Sequence, residues 1–212
     1  MIQIIEGNRG KPFDRLIESM FADRKRLFVD LFGWDVPVVA GNLEIDQFDR
    51  EGTVYVVAAS PDGKHEASLR LMPSEGPHML ADLFPGLCPG GVPVGDATWE
   101  STRLCLPQRH GAARRKELRN ALISAMVDFS LERGIERITG ILPETFRKEV
   151  LSMGWLAEAL GPPVRMAGGP VGAFAVHVRA DTPDRLRWNG VYVDARADPD
   201  VRQPLVGQEC LS

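Results

Sequence analysis

The sequence predicts an α/β fold, a central mixed β-sheet flanked by helices, on three observations. Alternating apolar residues mark strands at 53–60, 66–72, 99–107, 135–142 and 173–180. A helical period marks 12–32, 113–134 and 144–153. The two kinds of segment interleave instead of falling into blocks, the pattern of helices laid against a sheet. With 212 residues and no break in composition, a single domain over 1–212 is expected.

Composition narrows the function classes. The formal net charge is -4 and the basic residues are spread, with their densest run at Arg114 to Lys116, so no basic face for nucleic acid is expected. The longest clean apolar run is Val54 to Ala59, far short of a membrane span. The N-terminus lacks the layout of a secretory signal, which points to the cytoplasm. Cys88, Cys105 and Cys210, and His65, His78, His110 and His177, are too scattered for a disulfide framework or a metal site, so no metal is expected.

Taken in order, 12–32 places Ile17, Met20, Phe21, Phe28 and Leu31 on one helical stripe, with Asp14 placed to cap the start. Arg24 falls on that stripe. A guanidinium there must find a carboxylate or a ligand, or snorkel out at the helix edge, because burial unpaired is costly. Residues 33–52 show no period and carry Trp34, Glu44, Asp46, Phe48, Asp49 and Glu51. A loop of that length is functional or mobile; its plain reading is a solvated acidic loop, against which stand Phe28, Trp34 and Phe48, aromatics interleaved with its acids that mark contact with something.

Strands 53–60 and 66–72 form a hairpin about the turn PDGK, with Leu69 and Leu71 on one face and Arg70 on the other. Residues 73–96 read as loop with a short MLADLF turn. The central strand WESTRLCLP sets Glu100 and Arg103 three positions apart. In a regular strand they point to opposite faces. Either a bulge swings both toward one cleft, or the strand is regular and Glu100 lies on the far side. The helix 113–134 has Leu118, Ala121, Leu122, Ala125, Met126 and Phe129 as its core face and Gly134 as its stop. Strand 135–142, a short helix ended by Gly154 and strand 173–180 complete the order, and the tail after about 190 carries no signal.

Between the central strand and the long helix lies QRHGAARR, with Gln108, Gly111 and Ala113. The spacing Q-x-x-G-x-A resembles the loop with which GNAT-type acyltransferases cradle a pyrophosphate, where small residues and a helix N-terminus favour an anion. More specifically, Arg24, Phe28 and Trp34, Asp46 and Asp49 in EIDQFD, Arg70 in SLRLMP, Phe84 in MLADLFP, and Glu100 and Arg103 in WESTRLCL resemble, in order and interval, the acyl-homoserine lactone synthases of bacterial quorum sensing. The resemblance covers about the first 110 residues and fades afterwards.

It implies a GNAT-like fold with a splayed central strand, S-adenosylmethionine as a substrate and no cofactor. The second substrate would be an acyl thioester on acyl carrier protein, the preferred donor, or on coenzyme A. Phe28, Trp34, Asp46 and Asp49 would meet the sulfonium, Arg24 and Arg70 would pair with loop carboxylates, and Arg103 would hold the substrate carboxylate. Glu100 would serve as base, and backbone N–H groups near Arg103 and Leu104 would hold the oxyanion. The 33–52 segment would be a mobile lid. Besides Phe84, Leu104, Gln108, Gly111 and Ala113, the acyl donor would contact Leu122, Met126, Phe146, Val150, Met153 and Trp155, for which plain core is the leading alternative. Leu142 or Pro143, where a hydroxyl residue would favour a 3-oxo chain, suggests an unsubstituted one. Arg109, Arg114, Arg115, Lys116, Arg119 and Lys148 are available to face an acidic carrier, or form an ordinary solvated helix face. The rival readings are an N-acetyltransferase of the same fold and a non-catalytic binding module.

Overall fold

A computed structural model describes residues 1–7, 15–166 and 168–194. Its centre is an eight-stranded sheet. Strands β1 (Ile2–Glu6), β4 (Val54–Ala59), β5 (His65–Pro73), β6 (Thr98–Cys105), β7 (Arg137–Pro143), β10 (Gly169–His177) and β8 (Leu156–Ala159) follow one another across it, and β9 (Val164–Met166) also pairs with β10. All pairs are antiparallel except β6 with β7. A hairpin of β2 (Val38–Val39) and β3 (Leu43–Glu44) lies apart.

The parallel pairing of β6 and β7 runs only from Thr98–Arg137 to Ser101–Gly140, while both strands continue beyond it. The sheet therefore splays at its middle. Gly140 sits at the last contact, where a Cβ would lie 2.9 Å from Phe174 ring atoms and from the Ser101 carbonyl oxygen. On β6 a second irregularity follows. Arg70 faces Thr102 and Ser68 faces Cys105, so Arg103 and Leu104 together oppose one residue of β5. This is a β-bulge, and Arg103 adopts φ +52°, a left-handed conformation that a non-glycine residue holds only when its surroundings require it. The regular-strand alternative for WESTRLCLP is thereby excluded.

Helix α1 (Arg15–Arg24) continues through 25–31 in π-helical form, with Phe32 N–H reaching back to the Leu27 carbonyl. Such wider turns concentrate at functional sites. The proposed cap Asp14 and Cys210 lie outside the described residues. Leu16, Ile17, Met20 and Phe21 pack with Tyr55, Val57 and Ala59 on one face of the sheet. The other face holds the main core, where Val54, Val56, Leu69 and Leu71 meet α3 (Ala112–Arg133).

Helix α3 differs from its expected single apolar face. Residues 122–130 are buried all round, including Ser124, Asp128 and Ser130. The segment after α5 (Thr182–Trp188) covers its second side: Tyr192 hydroxyl donates to Asp128, Val193 N–H to Ser124 Oγ and Asn120 Nδ2 to the Gly190 carbonyl. The helical period says nothing of Asn120, Ser124 and Asp128, whose partners lie 64 to 70 positions away. Gly134 ends the helix at φ +67°, as expected. A short helix α2 (Met79–Asp82) stands on the expected turn, and α4 (Glu144–Leu151) follows β7.

Candidate active site

The charged residues that fitted poorly into their elements meet in one place. Arg24 closes α1 fully buried, with Nε donating to Glu44 at 2.6 Å and its two terminal nitrogens to both oxygens of Asp49 at 2.8 Å. Arg70 on β5 donates to both oxygens of Asp46 at 2.6 and 3.1 Å and lies 2.9 Å from Asp49. Its Nε donates to Thr102 Oγ1 at 3.0 Å. Arg103, turned by the bulge, reaches Glu44 at 3.0 Å and Asp46 at 2.7 Å through Nη2. Three guanidiniums and three carboxylates thus form a closed, electrically balanced network. Such a network stabilises a fold less well than apolar packing of equal volume, which makes it a candidate site of chemistry.

Aromatic rings wall it. Phe28 and Trp34 stack at 4.8 Å between centroids, and the Arg103 guanidinium lies 5.6 Å from the first and 5.8 Å from the second. Arg70 lies over Phe48 at 5.8 Å. Phe28 and Phe48 are buried, whereas Trp34 is 42 % exposed and forms the rim. The 33–52 segment is folded inward here, since Glu44, Asp46 and Phe48 are buried.

Glu100 stands on the same side as Arg103. Its two oxygens accept the backbone N–H groups of Met79 and Leu80, each at 2.8 Å, so it caps α2. Met79 sulfur lies 3.6 Å from Arg70 Nη2 and 3.3 Å from Arg103 Nη1, which ties base candidate and arginines to one residue. Burial pushes the Glu100 carboxyl up, and His78, the two amides and Arg70 oppose this without cancelling it. For Asp49, burial also pushes up, but Arg24 and Arg70 outweigh it and hold the carboxyl well below the usual range.

That asymmetry predicts a pH dependence. A carboxylate with a depressed folded pKa contributes stability above its unfolded value, near 3.9, and loses it as pH falls further. Asp49 and Asp23 both behave so. Glu100, shifted upward, acts in the opposite sense and is relieved by protonation. Urea unfolding should show stability declining below about pH 4. Asp23→Asn should show a shallower decline, because residue 23 then takes up no proton.

The remaining expected residues fall into two groups. Leu122, Met126, Val150, Met153 and Trp155 are buried in the main core, with Leu104, Leu142 and Phe146 packed against it beside the splay of β6 and β7. Phe84 packs in a separate cluster with Leu80, Leu87 and Ala173. Gln108, Gly111 and Ala113 are exposed in the turn that opens α3, where Arg115 donates to Gln108. Glu44 was seen in the acidic segment but given no role, although its i, i+2 spacing from Asp46 was the available signal. Tyr55, which donates to Asp49, and Met79 carried no signal in sequence. Among the described residues no group of three His, Cys, Asp or Glu could hold a metal ion, and no helix is long and apolar enough to cross a membrane.

A family model described as autoinducer synthase matches residues 12–187. The acyl-homoserine-lactone synthase of Ralstonia nicotianae is 32% identical over 80% of this chain and 86% of its own length. That of Rhizobium etli is 32% identical over 97% of this chain and 98% of its own. Among solved structures, the CoA-dependent acyl-homoserine lactone synthase BjaI, with SAM and isopentyl-CoA, superposes with TM-score 0.78 at 26% identity, over 90% of this chain and 89% of that one.

Proposed function

The chain belongs to the autoinducer synthase family and has its GNAT-like fold, and from that premise we propose that it makes an N-acyl-L-homoserine lactone from S-adenosylmethionine and an acyl thioester. The observation that carries this reading at the level of residues is the closed network of Arg24, Arg70, Arg103, Glu44, Asp46 and Asp49 under a stacked aromatic pair. An ordinary N-acetyltransferase has no use for it. The whole chain acts as one synthase domain, with 33–52 as the segment that opens to admit S-adenosylmethionine and folds back over it.

Two bond-forming steps are required. The α-amine of S-adenosylmethionine loses a proton and attacks the thioester carbonyl, forming the amide and expelling the thiol, which takes up a proton. The substrate carboxylate then displaces the sulfonium sulfur from its γ-carbon, closing the lactone and releasing methylthioadenosine. Glu100 takes the ammonium proton, directly or through a water, and its raised carboxyl pKa suits that task. Arg103 holds the carboxylate through Nη1, whose described partner is only the Met79 thioether. Phe28, Trp34, Asp46 and Asp49 receive the diffuse sulfonium charge. The bulge leaves residues 103 and 104 against one partner, so backbone N–H freed from the ladder is available to the oxyanion. The acyl chain enters between β6 and β7, toward Leu104, Leu122, Met126, Phe146, Met153 and Trp155.

The donor is carried by acyl carrier protein on the family resemblance, with acyl-coenzyme A as the second reading. A specific observation favours the second. Arg114 pairs with Glu66 and Glu117, Arg119 with Glu149 and Arg109 with Asp23, which neutralises much of the basic surface a carrier would meet. The test incubates purified protein with S-adenosylmethionine and a panel of acyl carrier protein and coenzyme A thioesters, with mass spectrometry for lactone and methylthioadenosine. Acetyl transfer to a simple amine with no lactone from any donor would overturn the reading.

A further inference from the structure

We propose that Arg50 is a positioning residue for Glu100: its guanidinium anchors the loop 76–78, and through that loop the two amides that hold the Glu100 carboxylate. The proposal rests on the synthase reading above and links the segment that would receive S-adenosylmethionine to the base on β6.

Arg50 is the only lysine or arginine in 33–52, a segment that carries Asp35, Glu44, Asp46, Asp49 and Glu51. Among the described residues its side chain has one hydrogen-bond partner, and that is none of these acids but the Pro77 carbonyl, to which Nη2 donates at 3.1 Å. Its Nε–H is buried without a partner, a cost that a freely solvated arginine does not carry. The loop it reaches is shaped to receive it. A Cβ on Gly76 would lie 2.5 Å from Nη2, so the guanidinium takes the space of a side chain there. The backbone on the Arg50 side is fixed in turn: Thr53 N–H donates to the Arg50 carbonyl at 3.1 Å, and Thr53 Oγ1 to the Phe48 carbonyl at 2.7 Å.

From Gly76 the path to Glu100 is short and stiff. The His78 imidazole is buried, and its Nδ1 donates to the Gly76 carbonyl at 2.9 Å, closing the loop on itself. Pro77 restricts the backbone between them. Ser74 N–H donates to the Thr98 carbonyl at 3.0 Å, which pins the start of the loop to β6. After His78 comes Met79, whose N–H reaches Glu100 together with that of Leu80, and whose sulfur lies against Arg70 and Arg103. Pro77 itself is exposed, so Arg50 is the tie on the side that the scaffold does not cover. Without it the loop is held from β6 alone, and the amides of 79 and 80 lose their alignment on the carboxylate.

Hydrogen exchange on the full chain tests this without turnover. Arg50→Ala should speed exchange of the Met79 and Leu80 amides about tenfold or more, as befits loss of one charge-assisted hydrogen bond, and leave the amides of β7 unchanged. Gly76→Ala should do the same with Arg50 intact, because a methyl there displaces only the end of a flexible side chain. Arg50→Lys should restore part of the protection. Unchanged exchange at Met79 and Leu80 in both alanine variants would overturn the proposal, and so would an equal rise throughout β7, which makes Arg50 a general support of the fold.

In turnover, Arg50→Ala should lower kcat and move the acidic limb of the pH–rate profile to higher pH, because the two amides favour the ionised carboxylate. The other charged and titratable groups acting on Glu100 are Arg70 from β5, His78 and Cys88, none of which the substitution alters. In a Glu100→Gln background Arg50→Ala should have no further effect on kcat, whereas a merely structural role adds its own loss. Absence of lactone from every donor would sink the synthase reading instead, with the exchange rates still deciding on Arg50.

Discussion

Replacing Arg24 with methionine is expected to cost about 3–5 kcal/mol of stability, the range for removing one partner of a buried ion pair. The side chain is 1 % exposed and donates three short hydrogen bonds, to Glu44 and Asp49. Its loss leaves three carboxylates against two guanidiniums, all of them buried. Methionine supplies similar bulk, so the effect is one of charge. Arg24→Lys should recover only part of the loss, because an ammonium cannot reproduce the two parallel bonds to Asp49. Urea unfolding gives the magnitude. A change below about 1 kcal/mol, the value for an exposed pair, would mean that the network is open to solvent. The same variant should also weaken S-adenosylmethionine binding, since Glu44 links Arg24 to Arg103.

Glu100→Gln should lower kcat/KM for lactone formation by about 10²- to 10⁴-fold, the usual contribution of a positioned base. Loss of rate alone does not separate catalysis from structure. Both Glu100 oxygens accept backbone N–H groups of α2, and an amide would turn its NH₂ toward one of those donors. The pH profile separates the two. With Glu100 as base, the rate rises with pH as the carboxyl ionises, and this acidic limb disappears in Glu100→Gln. If the limb persists at a reduced overall rate, Glu100 is a cap for α2 and the proton leaves to another acceptor. Retention of Met79 and Leu80 geometry in Glu100→Asp would strengthen the comparison, because the shorter acid keeps the proton acceptor.

The limits of the sequence reading follow the range of the forces. Strands β1, β8 and β9, the start of β10 and helix α5 were not foreseen. Gly169-Pro170-Val171-Gly172 carries no strand signal, because glycine and proline are depleted in strands. Yet Gly172, in β10, pairs with Leu142 of β7, and glycine is required there because the Arg147 guanidinium occupies the place of a side chain: a Cβ would lie 2.6 Å from it. In the 33–52 segment the hairpin of β2 and β3 escaped notice for lack of any period.

What the sequence by itself determined was the succession of the main elements and which charged residues fit poorly into them. Both depend on neighbours along the chain: a period of two or of 3.6 is visible locally, and Arg24 declares itself by standing where an alkyl group belongs. The tertiary structure alone decided which acid meets which arginine. Glu44 lies 20 positions from Arg24 and 59 from Arg103 yet touches both. It also decided between the two readings of WESTRLCLP, because a bulge on β6 is defined by the register of its partner β5. Pairing across such distances is set by sheet register and packing, which no local pattern encodes.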